Sequence, residues 1–307
     1  MSAVGALAPA PADAGWRGLV RNHALPVAAV VGAILLLWFA AAIWLNAPQV
    51  AAKLDQSGAP WSARDLVAGT WSMERPVLPT PLQIAGELDK TVLRTAVTSK
   101  RSLVYHAAVT ASGTLLGFAL GSLLGILLAV GIVHLRVLDK SLMPWVIASQ
   151  TVPILAIAPM IVVVLGSLGL TGLVPKAIIS MYLCFFPVTI GMVKGLRSPD
   201  PLQLDLMRTY NASPAQIFWK LRWPASVPFL FASLKVAVAI SLVGAIVGEL
   251  PTGAQAGLGA RLLSGSYFGQ TTQIWAALVM AALLGALLVL AVGMVERWVL
   301  RQMGARP

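Results

Sequence analysis

Six stretches of this chain, roughly residues 25–45, 103–133, 143–166, 173–193, 226–248 and 273–295, are apolar over about the twenty residues that a helix needs to cross a bilayer. That pattern admits few folds. Backbone groups inside lipid are satisfied only in helices or closed barrels, and continuous apolar runs are not the alternating strands of a barrel. The expected fold is therefore all-α, a bundle of six transmembrane helices. Composition agrees: 58% of the 307 residues are hydrophobic and 11% are charged, against about 25% charged in an average soluble domain. The net charge of +11 invites a nucleic-acid reading. The basic residues are scattered between apolar runs, without a stripe or interleaved aromatics, which argues for a lipid bilayer and no nucleic acid as partner. Cys184 is the single cysteine; it permits no disulfide within the chain and reads as a small buried hydrophobe.

Basic residues set the expected orientation. With the N-terminus in the cytoplasm, thirteen Lys and Arg fall inside and nine outside, seven of those nine in one long segment. Both termini are expected inside. The layout is then a flexible cytoplasmic tail over 1–24, a first transmembrane helix over 25–45, an extracytoplasmic segment over 46–101, a five-helix core over 102–297 with a cytoplasmic loop at 195–225, and a tail over 298–307. The apolar run behind residue 24 is long enough to span and lacks a close cleavage site, so no signal peptide is read. In segment 46–101, Pro48, Pro60, Pro76, Pro79 and Pro81 are expected to break up the first half. Ile84, Leu88 and Val92 recur at helical spacing behind them and predict an amphipathic helix along the outer surface.

Within the spans, Gly113, Gly117, Gly121 and Gly125 stand four apart on one helix face, where another backbone can approach closely. That face either packs within the subunit or borders a dimer seam or passage. The third span holds Pro144, Pro153 and Pro159 and is expected to be a kinked helix, with Gln150 and Thr151 either capping freed carbonyls or facing a polar path. Lys235 is placed at the inner mouth of the fifth span and Glu249 at its outer end, both reaching the interfaces, so no charge is placed near the middle of a span. Gln150, Thr151, Pro153 and Glu249 are the candidate residues of a translocation path.

The loop "DLMRTYNASPAQIFWKLRWP" is the most specific feature. A short helix is read from Asp205 to near Tyr210, and Asn211 suits the left-handed residue that closes a helix. Ser213 reads as an N-cap, with Pro214 at the first helical position and Gln216 completing a capping box. Pro224 is expected to end the second helix. The result is a stiff cytoplasmic elbow, unless it is an amphipathic hairpin resting on acidic lipid heads.

The same loop resembles the signature of ATP-binding cassette importer permeases: Glu-Ala-Ala, three residues, Gly, nine residues, Ile, one residue, Leu-Pro. Asp205, Leu206 and Met207 occupy the first three positions, Asn211 the glycine, Leu221 the isoleucine and Trp223-Pro224 the last pair. The spacing agrees throughout, and the identities depart at 206, 207 and 223. "VPILAIAPMIVVVLG", "CFFPVTIGMVKGL" and "VGEL…AGLG" are similar to the nitrate/sulfonate/taurine-type branch, which includes transporters of pyrimidines, thiamine precursors and riboflavin-like compounds. The resemblance implies a type I, MetI-like permease that pairs with a second permease subunit. It implies that residues 205–224, with Ala212, Ser213, Pro214 and Gln216 at the turn, dock on cytoplasmic ATP-binding subunits. A periplasmic substrate-binding protein would deliver the cargo, a small organic solute or an anion. ATP and Mg would be bound by the partner ATPase and no cofactor by this chain, which has no Gly-x-x-x-x-Gly-Lys-Ser/Thr phosphate loop. The competing classes are a secondary transporter or channel, which usually carries embedded charges, and an intramembrane enzyme, for which His23, His106 and His134 are too dispersed.

Overall fold

The computed structural model describes residues 25–58, 60–251 and 256–304. The tail expected over 1–24 lies outside the described residues. The chain divides into two compact units, Met1–Gly86 and Glu87–Pro307.

In the first unit, helix α1 (Leu25–Gln56) runs straight through Pro48 and well beyond the expected end at 45. Asn46 explains part of this extension. Fully buried, it accepts hydrogen bonds from the amides of Val77 and Leu78 at 2.7 and 3.3 Å and donates to the Leu78 carbonyl at 2.9 Å. The Trp38 indole N–H donates to the Pro79 carbonyl at 3.0 Å. The helix is thus anchored along its length by a chain segment that returns to it. Helix α2 (Ala63–Ser72), where prolines had suggested irregular chain, opens on a capping box of Ser62 and Asp65. The Ser62 hydrogen bonds hold the Asp65 carboxyl below its ordinary value. Helix α3 (Pro81–Leu88) starts from a Thr80–Gln83 box and passes into a π-helical turn at Asp89–Leu93. It is shorter than the amphipathic helix expected from the sequence.

The second unit is built on three long helices: α4 (Leu103–His134), α7 (Leu173–Leu196) and α10 (Trp223–Gly248). Around them lie α5 (Arg136–Ala148), α6 (Ile154–Ser167), α8 (Pro201–Thr209), α9 (Pro214–Ile217), α11 (Leu258–Tyr267) and α12 (Thr271–Gln302). Helix α12 continues through 298–302, where a tail was expected. Among the described residues, five helices are long and apolar enough to cross a membrane, and six if one bent pair is a single span.

That pair corrects the reading of the third apolar run as one kinked helix. Residues Arg136–Thr151 and Ile154–Ser167 meet at 98°. Val152 and Pro153 are extended at the break. A proline removes one backbone bond and disfavours helix at the residue before it. The freed Ser149 carbonyl is taken up by the Tyr182 hydroxyl of α7, so the bend is supported from outside the run.

Helices α4 and α7 touch through the glycine face. A Cβ at Gly117 would stand 2.2 Å from the Ser180 Cβ and 2.6 Å from the Ala177 carbonyl oxygen. At Gly121 it would stand 2.2 Å from the Cys184 Sγ, and at Gly125 2.7 Å from the Phe185 carbonyl oxygen. At Gly113 the nearest atom, the Lys176 Cβ, is 3.2 Å away. The face therefore lies against a helix of its own subunit. Hydroxyls staple the trio: Ser180 donates to the Ser241 carbonyl and Ser241 to the Thr114 carbonyl, each at 2.9 Å. These bonds are buried in an apolar setting, where an unmade one is costly.

Candidate functional site

The elbow begins earlier than the sequence suggested. Asp200 caps α8, accepting from the Leu202 amide at 2.8 Å, with Pro201 first in the helix and Gln203 completing the box. Asp205 lies inside α8 and pairs with Arg208 at 3.0 Å on the exposed surface. The turn follows as its chemistry requires. Asn211 has φ 51°, the one non-glycine residue with positive φ among those described. The Ala212 amide donates back to the Met207 carbonyl at 3.0 Å, the six-to-one closure of a helix C-terminus. Ser213 and Gln216 then exchange backbone and side-chain hydrogen bonds, with Pro214 at the first position of α9. Leu206 and Tyr210 project from this turn, 57% and 78% exposed.

Pro224 does not end the second helix. Residues Phe218–Arg222 form a π-helical turn that leads directly into α10, so Pro214–Gly248 is one continuous helical rod. The proline sits at the start of α10, where the wider turn behind it accommodates the missing N–H. At 35 residues the rod is about 52 Å long. Near its beginning, the Arg222 guanidinium donates to the Leu196 carbonyl at 2.9 Å, tying the elbow to the last turn of α7. Leu221 and Pro224 are half-buried at this junction.

Lys235 and Glu249, both expected to reach the interfaces, each meet an oppositely charged partner. Lys235 falls midway along α10 and forms an ion pair with Glu296 of α12. Glu249, at the end of α10 away from the elbow, is fully buried. Its carboxylate accepts from the Lys176 ammonium at 3.1 Å, the Thr110 hydroxyl at 2.9 Å and the Gly259 amide at 2.9 Å. Lys176 also donates to the Ala256 carbonyl at 3.0 Å. Thr110 in turn accepts from the Leu258 amide at 2.8 Å. The His106 Nδ1 accepts from the Gly257 amide at 2.9 Å, which leaves Nε2 to donate to the Lys100 carbonyl. Helices α4, α7 and α10 and the start of α11 thus meet at one buried polar cluster. Beside it, burial lowers the Arg261 guanidinium from its ordinary value and Glu87 raises it again; an arginine stays charged through such a shift.

A cavity of about 670 Å³ opens next to this cluster. Tyr105, Ser112, Val162, Thr171, Lys176 and Pro251 are among the residues that line it. Gln150, Thr151 and Pro153 lie at the 98° bend instead. There the Thr151 hydroxyl donates to the Ala148 carbonyl at 2.7 Å and the Gln150 amide to the Ser149 hydroxyl at 3.2 Å. Of the four candidate path residues, Glu249 alone belongs to the cluster beside the cavity. Thr110 and Lys176 were missed as its partners, and His106 as a member of the cluster, since they are remote from it in sequence.

Residues 121–304 match the family described as binding-protein-dependent transport system inner membrane component. A probable ABC transporter permease protein of Haemophilus influenzae is 32% identical over 69% of this chain and 82% of its own length. The formylaminopyrimidine transport permease protein ThiX of Halalkalibacterium halodurans is 33% identical over 60% of this chain and 68% of its own. Among solved structures, a chain of the MetNI methionine ABC transporter in inward-facing conformations superposes with a TM-score of 0.51 at 21% identity, covering 65% of this chain and 94% of that one.

Proposed function

The chain belongs to the inner membrane components of binding-protein-dependent transport systems, and from that premise we propose that its elbow is the part that receives work from a separate ATPase. It is a multi-pass inner-membrane permease of an ATP-binding cassette importer, MetI-like in fold, and a transport subunit rather than an enzyme. In the proposed assembly it pairs with a second permease subunit, both termini face the cytoplasm, and a periplasmic binding protein presents a small organic solute at the opposite side. ATP and Mg belong to the partner subunits, whose closure would move residues 200–224.

The observation that carries this reading is the continuity of Pro214–Gly248. A flexible loop would absorb a push at its tip. Here the tip is a capped turn without slack, and the π-helical turn joins it to a rod that reaches the buried cluster. The exposed Leu206 and Tyr210 are the apolar contacts offered to the ATPase cleft. The Arg222 bond to Leu196 shares the displacement with α7, so the two helices move together. The relative that transports formylaminopyrimidine supports an organic solute as cargo.

Reconstitution tests the reading. Vesicles holding this chain with its ATP-binding subunits should take up solute from the binding protein only with hydrolysable ATP inside. Equal uptake in vesicles emptied of nucleotide would sink the proposal.

A further inference from the structure

Among the described residues that line the cavity, Lys176 alone carries a charge at neutral pH. That charge is already spoken for. Its ammonium lies 3.1 Å from a carboxylate oxygen of Glu249, which is itself fully buried and stands outside the lining set. The cavity wall is therefore electrically neutral while remaining rich in hydrogen-bonding groups. The Ser112 hydroxyl commits its hydrogen to the Val109 carbonyl at 2.7 Å and so offers lone pairs. Among the described residues the Tyr105 and Thr171 hydroxyls, both in the lining, have no hydrogen-bond partner and offer both functions. Val109, Val162 and Leu173 supply the apolar remainder.

We propose that this cavity is a transit subsite for an uncharged, hydrogen-bonding organic solute, and that Glu249 makes it so by cancelling Lys176. The inference rests on the permease reading and narrows its cargo. An anion entering the cavity would give up hydration and meet a cation whose field is already balanced, so its desolvation is not recovered. An uncharged amide or heterocycle loses less on entry and finds hydroxyls and apolar surface, the usual mixture of a small-molecule pocket. Glu249 is thus a specificity-determining residue that acts through Lys176.

The test places a thiol in the wall as Ser112→Cys, in the assembled transporter in vesicles without nucleotide. Two methanethiosulfonate reagents of similar size are compared, the anionic ethylsulfonate and the cationic ethyltrimethylammonium. Each rate is divided by the rate with a free thiol in solution, and the buried Cys184 is controlled by the chain without the substitution. With Glu249 present, the normalised anion-to-cation ratio should lie within about threefold of one. Glu249→Gln keeps the shape and uncovers the Lys176 charge, and should raise the ratio about tenfold, the equivalent of about 1.4 kcal/mol. Glu249→Asp keeps the charge and should leave the ratio near one. A ratio already above tenfold with Glu249 in place, a ratio unmoved by Glu249→Gln, or a thiol that neither reagent reaches overturns the proposal. If Glu249→Gln fails to accumulate, the first ratio decides alone. Because no ATP is used, a wrong ratio alongside ATP-driven uptake removes only the subsite. A correct ratio with nucleotide-independent uptake removes the coupling reading instead.

Discussion

The Lys176 ammonium and the Glu249 carboxylate lie 3.1 Å apart with their side chains 9% and 0% exposed, joining the start of α7 to the end of α10. Neither charge has water to fall back on, so each depends on the other. Glu249→Ala should destabilise the folded chain by about 3–5 kcal/mol, because it strands a buried cation and strips the acceptor from Thr110 and Gly259. Lys176→Met combined with Glu249→Gln removes both charges while the amide can still meet Thr110. That double variant should recover at least half of the loss. Chemical unfolding in detergent measures both, and a double variant as weak as Glu249→Ala would show that charge pairing is not what holds the cluster.

Close approach of α4 and α7 gives a graded prediction. Gly117→Ala and Gly121→Ala place a methyl 2.2 Å from the Ser180 Cβ and from the Cys184 Sγ respectively, distances no packed atoms sustain. Each should cost about 1–3 kcal/mol as the helices are forced apart. Gly113→Ala, with 3.2 Å to its nearest neighbour, should cost clearly less. Gly32→Ala meets nothing within 4 Å and should be neutral or stabilising. Thermal unfolding of the four purified variants should follow this order. Equal losses at 113 and 117 would refute the contact as described.

The same contrast explains what the sequence made legible. Apolar run length, the glycine spacing and the Ser213–Gln216 box are local signals, and local backbone physics acts on them directly. Asn211 is legible because few residues tolerate its φ of 51°. The 98° bend was not, since a proline marks where a helix yields but the angle depends on what supports the break, here Tyr182. Nor was the polar cluster: Lys176 and Glu249 are 73 positions apart and Thr110 and Glu249 139, and nothing in either neighbourhood names the partner. Pro224 misled for a related reason. Its usual effect on a helix assumes an ordinary α-turn behind it, and the chain supplies a π-turn instead.

Lys235 and Glu296 pair across α10 and α12 with side chains 38% and 17% exposed. A charge midway along an apolar helix is retained only with a partner. Lys235→Glu should therefore lower the level of protein in the membrane several-fold, by setting like charges together. Adding Glu296→Lys should restore most of it, because the pair is then merely reversed. Quantitative immunoblotting of membranes reads both variants, and failure of the reversed pair to recover would mean that each residue serves a separate contact.

Asn211 carries the geometry on which the proposed coupling depends. Its φ of 51° lets the Ala212 amide reach the Met207 carbonyl at 3.0 Å, which closes α8 and aims the chain at the Ser213 cap. A β-branched residue meets its own backbone there, at a cost of about 1–2 kcal/mol. The turn is exposed and outside the packed core, so Asn211→Val should leave the bundle folded while loosening the elbow. Asn211→Gly, which accepts positive φ freely, should behave like the unsubstituted chain. In detergent, Asn211→Val should co-purify with substantially less of the ATP-binding subunit and transmit less of the binding protein's stimulation to ATP hydrolysis. Undiminished binding and stimulation would mean that the shape of this turn does not carry the push, whatever else residues 200–224 touch.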